Sequence, residues 1–350
     1  MKILVINTAA SEGGALSILQ DFYRNIKLKD EKNQWFFLLS APYLEETDNI
    51  KTIIVPELKS WSKRILFDLY SHKKILKQIQ PDLVFSMQNT ALFTNKIPQA
   101  LYLHQPLPFQ KEKKYSFFIQ EERKFAIYQY IIGTIIKFSL RYTDKIIVQT
   151  KWMKKAIENL QYGKNKTVAI QPPIVIDEHN VKVILSQNRF FYPTSDIPYK
   201  NISIMDEACK IISEQHPELE FNIEITIDRV LQSKHIHSIG KISRSEVIEK
   251  YKNSILVFPS YIETFGMPLA EARKIGTIIL ASDTEFSREL LKGYENAYYF
   301  NYEDSNEIAK LIHKCITKEL TLLDSNQPKL KEDNNGWDDV REEICAIVSR

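Results

Sequence analysis

Glycine is scarce in this chain, with nine in 350 residues. The adjacent pair Gly13-Gly14 lies in Ser11-Glu12-Gly13-Gly14, which is neither G-x-G-x-x-G nor a P-loop and so speaks against dehydrogenase and kinase readings. Cysteine is scarcer still. Cys209, Cys315 and Cys345 are odd in number and far apart, form no metal-ligand or disulfide pattern, and point to a reducing compartment. No stretch reaches the roughly 18–20 apolar residues that span a bilayer; the nearest, Phe125 to Leu140, is interrupted by Gln129 and Lys137. No signal peptide is expected, because Met1-Lys2-Ile3-Leu4-Val5-Ile6 runs straight into strand-like sequence. Internal repeats and low-complexity tracts are lacking as well.

What is there suits a globular protein of two domains: 44% hydrophobic residues, 26% charged, and a length too great for one ordinary core. Net charge is only +3 but unevenly spread. Residues 1–175 hold 26 Lys and Arg against 15 Asp and Glu, and the remainder 21 against 29. A basic half and an acidic half suit different partners, although two solvated surfaces would show the same imbalance.

Short apolar runs alternate with amphipathic stretches of helical length. Strands are expected at Ile3–Asn7, Trp35–Ser40, Thr52–Pro56, Leu83–Met87, Ala100–His104, Lys145–Thr150 and Val168–Gln171, with helices notably at Ala15–Ile26, Ser62–Ile79 and Phe117–Arg141. After Gln171-Pro172-Pro173 and the polar Asp177–Asn180 the alternation restarts, with strands at Phe190–Pro193, Phe221–Ile227, His237–Gly240, Ile255–Ser260, Thr277–Ala281 and Ala297–Phe300. Such alternation means parallel sheets wound on both faces. Ser243-Arg244-Ser245-Glu246 has the form of a capping box and predicts a helix from about Ser245 to Lys252. Ligands of doubly wound sheets bind beyond the carboxyl ends of strands, which directs attention to the loops after Ile6, Leu103, Phe191, Ile239 and Phe258.

After the run Ile255-Leu256-Val257-Phe258 comes SYIETFGMPLAEARKIG, with seven residues between Glu263 and Glu271. Pro268 fits the first turn of a helix, where its missing N–H costs nothing, and Gly266 lets backbone approach a ligand. The free amides and dipole of that helix start suit a phosphate. The carboxylates suit paired hydroxyls, as on riboses and sugars. A phosphate flanked by polyols describes a nucleotide sugar. An ordinary helix start decorated with acidic residues would carry the same sequence.

This E-x(7)-E setting, Phe258-Pro259-Ser260…Glu263-Thr264-Phe265-Gly266…Glu271-Ala272, resembles the retaining glycosyltransferases of the large family that includes glycogen- and sucrose-synthase relatives, the family 4-like or group 1 glycosyltransferases. Similarity is dense over about residues 237–312, through Ser238-Ile239-Gly240-Lys241, Tyr251-Lys252-Asn253-Ser254, Ala281-Ser282-Asp283 and Arg288-Glu289-Leu290. The resemblance implies the α/β GT-B fold: two doubly wound, Rossmann-like parallel-sheet domains facing an interdomain cleft. The expected division is 1–178 for acceptor binding, 183–332 for the nucleotide sugar, and a closing helix in 336–350, led by Trp337, that crosses back to the first domain.

The resemblance also assigns roles. Glu271 would bind ribose hydroxyls and Glu263 the donor sugar. The backbone of Phe265, Gly266 and Met267 would face sugar and diphosphate, and Gly240 and Lys241 would lie near the base. Gly13 and Gly14 resemble the family's glycine loop near the diphosphate; by itself the sequence is a simple strand-to-helix turn. His104, in Leu103-His104-Gln105-Pro106, resembles the histidine beside the reacting carbon, and a plain loop histidine would read alike. Lys200 resembles the lysine that pairs with the diphosphate. The usual arginine a few residues earlier is replaced by Thr194, Ser195 and Asp196, and the glycine that often follows by Asn201.

The expected function is hexose transfer from a UDP- or GDP-linked donor to a glycan or lipid-linked saccharide, in bacterial surface polysaccharide synthesis. His104, Glu263 and Lys200 are the expected catalytic group. The absence of a D-x-D motif predicts neither an essential metal nor the metal-dependent transferase fold, and no cofactor is expected. No nucleic acid is expected as a partner. The mixture of basic and aromatic residues over Phe109–Arg141 suits an anionic membrane surface, and equally a core helix with a solvated basic face. The location predicted is cytoplasmic, peripheral on the inner face of the membrane. Two alternatives stay open: a catalytically silent homologue that binds a nucleotide sugar or glycan, and a nucleotide-sugar epimerase of similar architecture.

Overall fold

A computed structural model describes residues 1–10, 13–176, 183–323 and 336–348. Ser11 and Glu12 of the glycine loop and the linker residues Asp177–Asn180 lie outside them. The chain divides into two units, Met1–Pro173 with Asn334–Arg350, and Ile174–Asp333.

The described part of the first unit holds a sheet of β1 (Lys2–Asn7), β2 (Gln34–Leu39), β3 (Ile50–Ile54), β4 (Leu83–Ser86), β5 (Gln99–Tyr102), β6 (Lys145–Val148) and β7 (Thr167–Ala169). Its order is β3-β2-β1-β4-β5-β6-β7 and every pairing is parallel. Side chains alternate between its faces. Ile3 and Val5 join one core cluster with Phe22, Phe85 and Tyr102, while Leu4 and Ile6 join another with Leu38 and Val84. Both faces are thus covered, as all-parallel sheets require. The helix Trp337–Cys345 adds Trp337, Val340 and Ile344 to the first cluster, with the Trp337 ring 5.3 Å from Phe22 and 5.5 Å from Tyr102.

The second unit repeats the plan with β8 (Arg189–Tyr192), β9 (Asn222–Ile225), β10 (Ile236–Ser238), β11 (Ile255–Phe258), β12 (Ile279–Ser282) and β13 (Ala297–Phe300), in the parallel order β10-β9-β8-β11-β12-β13. The doubly wound α/β class expected from the sequence is the one adopted. Strand order reverses direction between β1 and β4 and between β8 and β11, so loops after these strands diverge and leave room for a ligand.

Two expected helices differ from their sequence reading. Ser62–Ile79 carries a π-turn at Phe67–Ser71 between the helices Trp61–Leu66 and His72–Ile79. Phe117–Arg141 is helical only from Arg123, with a second π-turn at Ile127–Ile132 and a 3-10 turn at Leu140–Tyr142. Gly133 ends that π-turn where a Cβ would stand 2.9 Å from Pro108. The capping box forms: Ser243 Oγ accepts from Glu246 N at 3.3 Å, and Ser243 N donates to Glu246 Oε2 at 2.7 Å, starting the helix Arg244–Asn253.

Candidate functional site

In the second unit the loops after β8 and β11 are sewn together. Tyr261 N donates to Tyr199 O at 3.1 Å, and Ser260 Oγ lies 3.2 Å from the same carbonyl. A 3-10 turn, Pro198–Lys200, carries Lys200 toward Glu263, and Lys200 Nζ ion-pairs with Glu263 Oε1. Ser260 Oγ donates to that carboxylate oxygen at 2.9 Å. Both side chains are mostly covered, at 18% and 15% exposure, so water screens the pair little. The charge of Glu263 adds to burial in pushing the Tyr192 and Tyr199 hydroxyls above their usual range. Asn201 follows at φ +58°, in the left-handed region that glycine and asparagine enter readily, and its Nδ2 donates to Tyr302 O at 2.8 Å. The chain therefore keeps the backbone turn that a glycine at Asn201 would serve.

Glu271 lies one turn into the helix Met267–Ile275 and is 7% exposed. Its Oε1 pairs with Arg244 Nη2 at 3.0 Å, and Tyr251 Oη lies 3.4 Å from its Oε2. Burial raises the Glu271 pKa, while the Arg244 charge and the Tyr251 hydroxyl pull it back. Each glutamate of the E-x(7)-E stretch thus has its own basic partner. Gly266 caps the helix at φ +89°, so backbone geometry alone calls for glycine there. Leu269 and Ala270 amides turn back to Gly266 O at 3.0 and 3.4 Å, and Pro268 has none, so Met267 supplies the helix-start amide. Phe265 is buried, leaving only its main chain to a ligand. Gly240, at φ +67°, follows β10 where a Cβ would meet Asp228 Oδ1 at 2.8 Å, and Lys241 is exposed beyond it. Upstream of Lys200, Asp196 holds Arg229 at 3.0 Å, which brings a guanidinium to the β8 loop.

In the first unit, Gly13 and Gly14 open the helix Gly13–Lys29 after β1. A Cβ at Gly14 would meet no atom within 4 Å, so packing does not demand glycine at that position. His104 lies just past β5. Its backbone N donates to Asn89 Oδ1 at 2.8 Å, which turns Asn89 Nδ2 to the His104 Nε2 at 3.4 Å. The neutral ring then carries its proton on Nδ1, an atom with no partner among the described residues. Burial pushes the His104 pKa down to about 4, so the imidazole is uncharged near neutral pH.

The sequence reading did not anticipate Arg244, Arg229 or Asn89. Arg244 was visible only as part of a capping box. Asn89 leaves no local signal beyond its own φ of +71°, which sequence does not print.

Two doubly wound parallel sheets, one in each unit, are the architecture of the GT-B fold. Residues 176–332, within the second unit, match the family described as glycosyl transferases group 1. It is 24% identical to an uncharacterised glycosyltransferase of Methanocaldococcus jannaschii over 89% of this chain and 84% of that one. It is 21% identical to the N,N'-diacetylbacillosaminyl-diphospho-undecaprenol alpha-1,3-N-acetylgalactosaminyltransferase of Campylobacter jejuni, over 88% and 89%. Among solved structures it resembles the lipopolysaccharide outer core galactosyltransferase WaaB, with a TM-score of 0.71, 17% identity and 99% of both chains covered. Anabaena HepE in complex with UDP and glucose gives a TM-score of 0.67 at 15% identity, covering 100% of this chain and 99% of that one.

Proposed function

We propose that the chain is a metal-independent, retaining hexosyltransferase that moves a sugar from a UDP-linked donor to a lipid-linked saccharide or glycan acceptor in surface polysaccharide synthesis. The observation that carries this reading is the pairing of both glutamates, Lys200 with Glu263 and Arg244 with Glu271, beside the point where strand order reverses. Carboxylates beside a basic partner and largely shielded from water accept strongly from hydroxyls. The HepE complexes with UDP, glucose and UDP-glucose favour a UDP-linked hexose, and the Campylobacter relative's lipid-diphosphate substrate favours a lipid-linked acceptor.

In this mechanism Glu271 accepts from the ribose and Glu263 orients the hexose. Lys200 leaves Glu263 for the diphosphate as charge grows on the leaving oxygen, aided by the Met267 amide. Arg229 supplies the second cation. The bond from the anomeric carbon to the diphosphate breaks as the acceptor oxygen attacks the same face, and the leaving diphosphate takes the acceptor's proton. His104, neutral, donates from Nδ1 to the sugar without adding positive charge beside the forming oxocarbenium. The second unit binds donor and the basic first unit binds acceptor at an anionic membrane.

The test is incubation of purified protein with a panel of UDP- and GDP-hexoses, following nucleotide release and product by chromatography. Slow release of nucleotide and free sugar is expected without acceptor, and acceptor should quicken nucleotide release while taking the sugar into product. A protein that binds a nucleotide sugar without cleaving it is the silent homologue, and one that converts it to an isomeric nucleotide sugar is the epimerase.

A further inference from the structure

Asp68 is a carboxylate inside the first unit that the reaction above does not use. Its residue is 1% exposed and sits in the π-turn Phe67–Ser71. π-turns inside helices recur at functional positions. Its Oδ1 accepts from Gln88 Nε2 at 3.0 Å and its Oδ2 from Thr90 Oγ1 at 2.6 Å. Gln88 Oε1 in turn accepts from Thr8 Oγ1 at 2.9 Å, in the loop after β1. Phe93 N donates to Asp68 O at 2.8 Å. One side chain therefore fastens the loops after β1 and β4 to a helix.

Asn89 lies between the two residues that Asp68 grips. It stands at φ +71°, in the left-handed region that asparagine enters readily. Both polar ends of its amide are spent on His104, Oδ1 on the backbone N and Nδ2 on the ring Nε2. Turning Asn89 over would present a donor to the His104 N–H and free the imidazole to change tautomer.

We propose that Asp68 is a positioning residue for sugar transfer: by clamping Gln88 and Thr90 it fixes Asn89, and through Asn89 the orientation and tautomer of the His104 ring. The inference rests on the reading of His104 as a donor-sugar contact. Burial pushes Asp68 up to about pKa 7, with Thr90, Arg64 and Gln88 pulling the other way.

The experiment compares full-length Asp68→Ala, Asp68→Asn and Thr90→Val with wild type. The first readout is the imidazole nitrogen spectrum, with His104 assigned by comparison with His104→Gln. The second is kcat and KM for UDP-hexose hydrolysis, with UDP affinity by calorimetry. Asp68→Ala and Thr90→Val should shift the His104 nitrogens and lower kcat at least tenfold, with KM and UDP affinity within twofold. Asp68→Asn should restore both, because its Oδ1 still accepts from Gln88 and the Thr90 hydroxyl can turn to accept from its Nδ2. Thr90→Val, which keeps side-chain shape, covers the case in which Asp68→Ala does not fold. Unmoved His104 signals with wild-type kcat in the folded variants overturn the proposal, as does an Asp68→Asn no better than Asp68→Ala. If wild type releases no nucleotide from any donor, the proposed function fails, and the imidazole spectra alone decide whether Asp68 sets His104.

Discussion

At the scale of single residues, the two glutamates make opposite demands on stability and function. Glu271 is buried with its pKa raised. A raised carboxylate pKa means that its contribution to folding is present at low pH and lost as pH rises through the folded value. Ionising Glu271 in the folded chain is therefore a cost. Glu271→Gln should leave thermal stability at pH 8 unchanged or higher, since Arg244 is 46% exposed and water can serve it. On the proposed role, the same change removes charge-assisted bonds to ribose worth about 1.5–3 kcal/mol, so UDP affinity should fall about 10- to 150-fold in calorimetry. Wild-type affinity should also weaken on acidification at a pH above the ordinary carboxylate range, and Glu271→Gln should flatten that profile. In the proposed mechanism Glu263→Gln acts beside the transferred sugar. Its loss should fall on kcat, with UDP affinity nearly unchanged. Equal wild-type turnover and affinity in both variants would remove them from the donor site.

At the scale of elements, what could be read from sequence and what could not divide along physical lines. Every strand was legible, because a buried parallel strand is a short apolar run between turn residues, and Ile255–Phe258 is buried along its whole length. The helix start at Gly266-Met267-Pro268 was legible because Gly266 and Pro268 have few other uses in that order. The π-turns were not, since an inserted helical residue leaves apolar spacing nearly unchanged. The partners of Glu271 were not, since Arg244 comes from a distant helix start. Gly266→Ala places a side chain at φ +89°, which should cost about 1–2 kcal/mol and misplace Met267, lowering donor affinity. Denaturant titration and calorimetry read the two effects separately. The expected helix Phe117–Arg141 teaches a further point. Its first residues form an exposed apolar tip instead, with Phe118 96% and Ile119 48% exposed. Lys113 pairs with Glu122 at 2.9 Å, so Lys111, Lys114 and Lys124 are the better choices as membrane cations. Each lysine near an anionic surface contributes about 1 kcal/mol, screened by salt. Sedimentation with anionic vesicles should weaken several-fold on Phe118→Ser with Ile119→Ser, and again with added salt. Equal binding to neutral and anionic vesicles would rule the surface out.

At the scale of the whole molecule, the chain places its last described helix in the unit where it began. Trp337, Val340 and Ile344 are buried with Phe22 and Tyr102, and Lys29 donates to Asp338 Oδ2 at 2.5 Å. Lys145 pairs with Glu343 at 2.5 Å as well. Among the described residues, the partners of Glu263 and Glu271, by contrast, lie within Ile174–Asp333. Removing residues 334–350 should therefore separate the two units in behaviour. The first unit loses three buried apolar side chains, each worth about 1.5–3 kcal/mol on full burial, and opens the core around Phe22. That loss rivals the whole stability of an ordinary domain, so it should unfold at a much lower temperature and bind a hydrophobic dye. The second unit keeps its sheet and its glutamates. UDP should still bind it, raising only the upper of two calorimetric transitions, and at a hundredfold excess over Kd the gain should be about 2.7 kcal/mol. Nucleotide release from a UDP-hexose should vanish, because His104 and the glycine-loop residues belong to the unit that has melted. Retained hydrolysis in the truncated chain would show that the second unit cleaves its donor alone. Loss of UDP binding along with the lower transition would show that the donor site depends on the first unit.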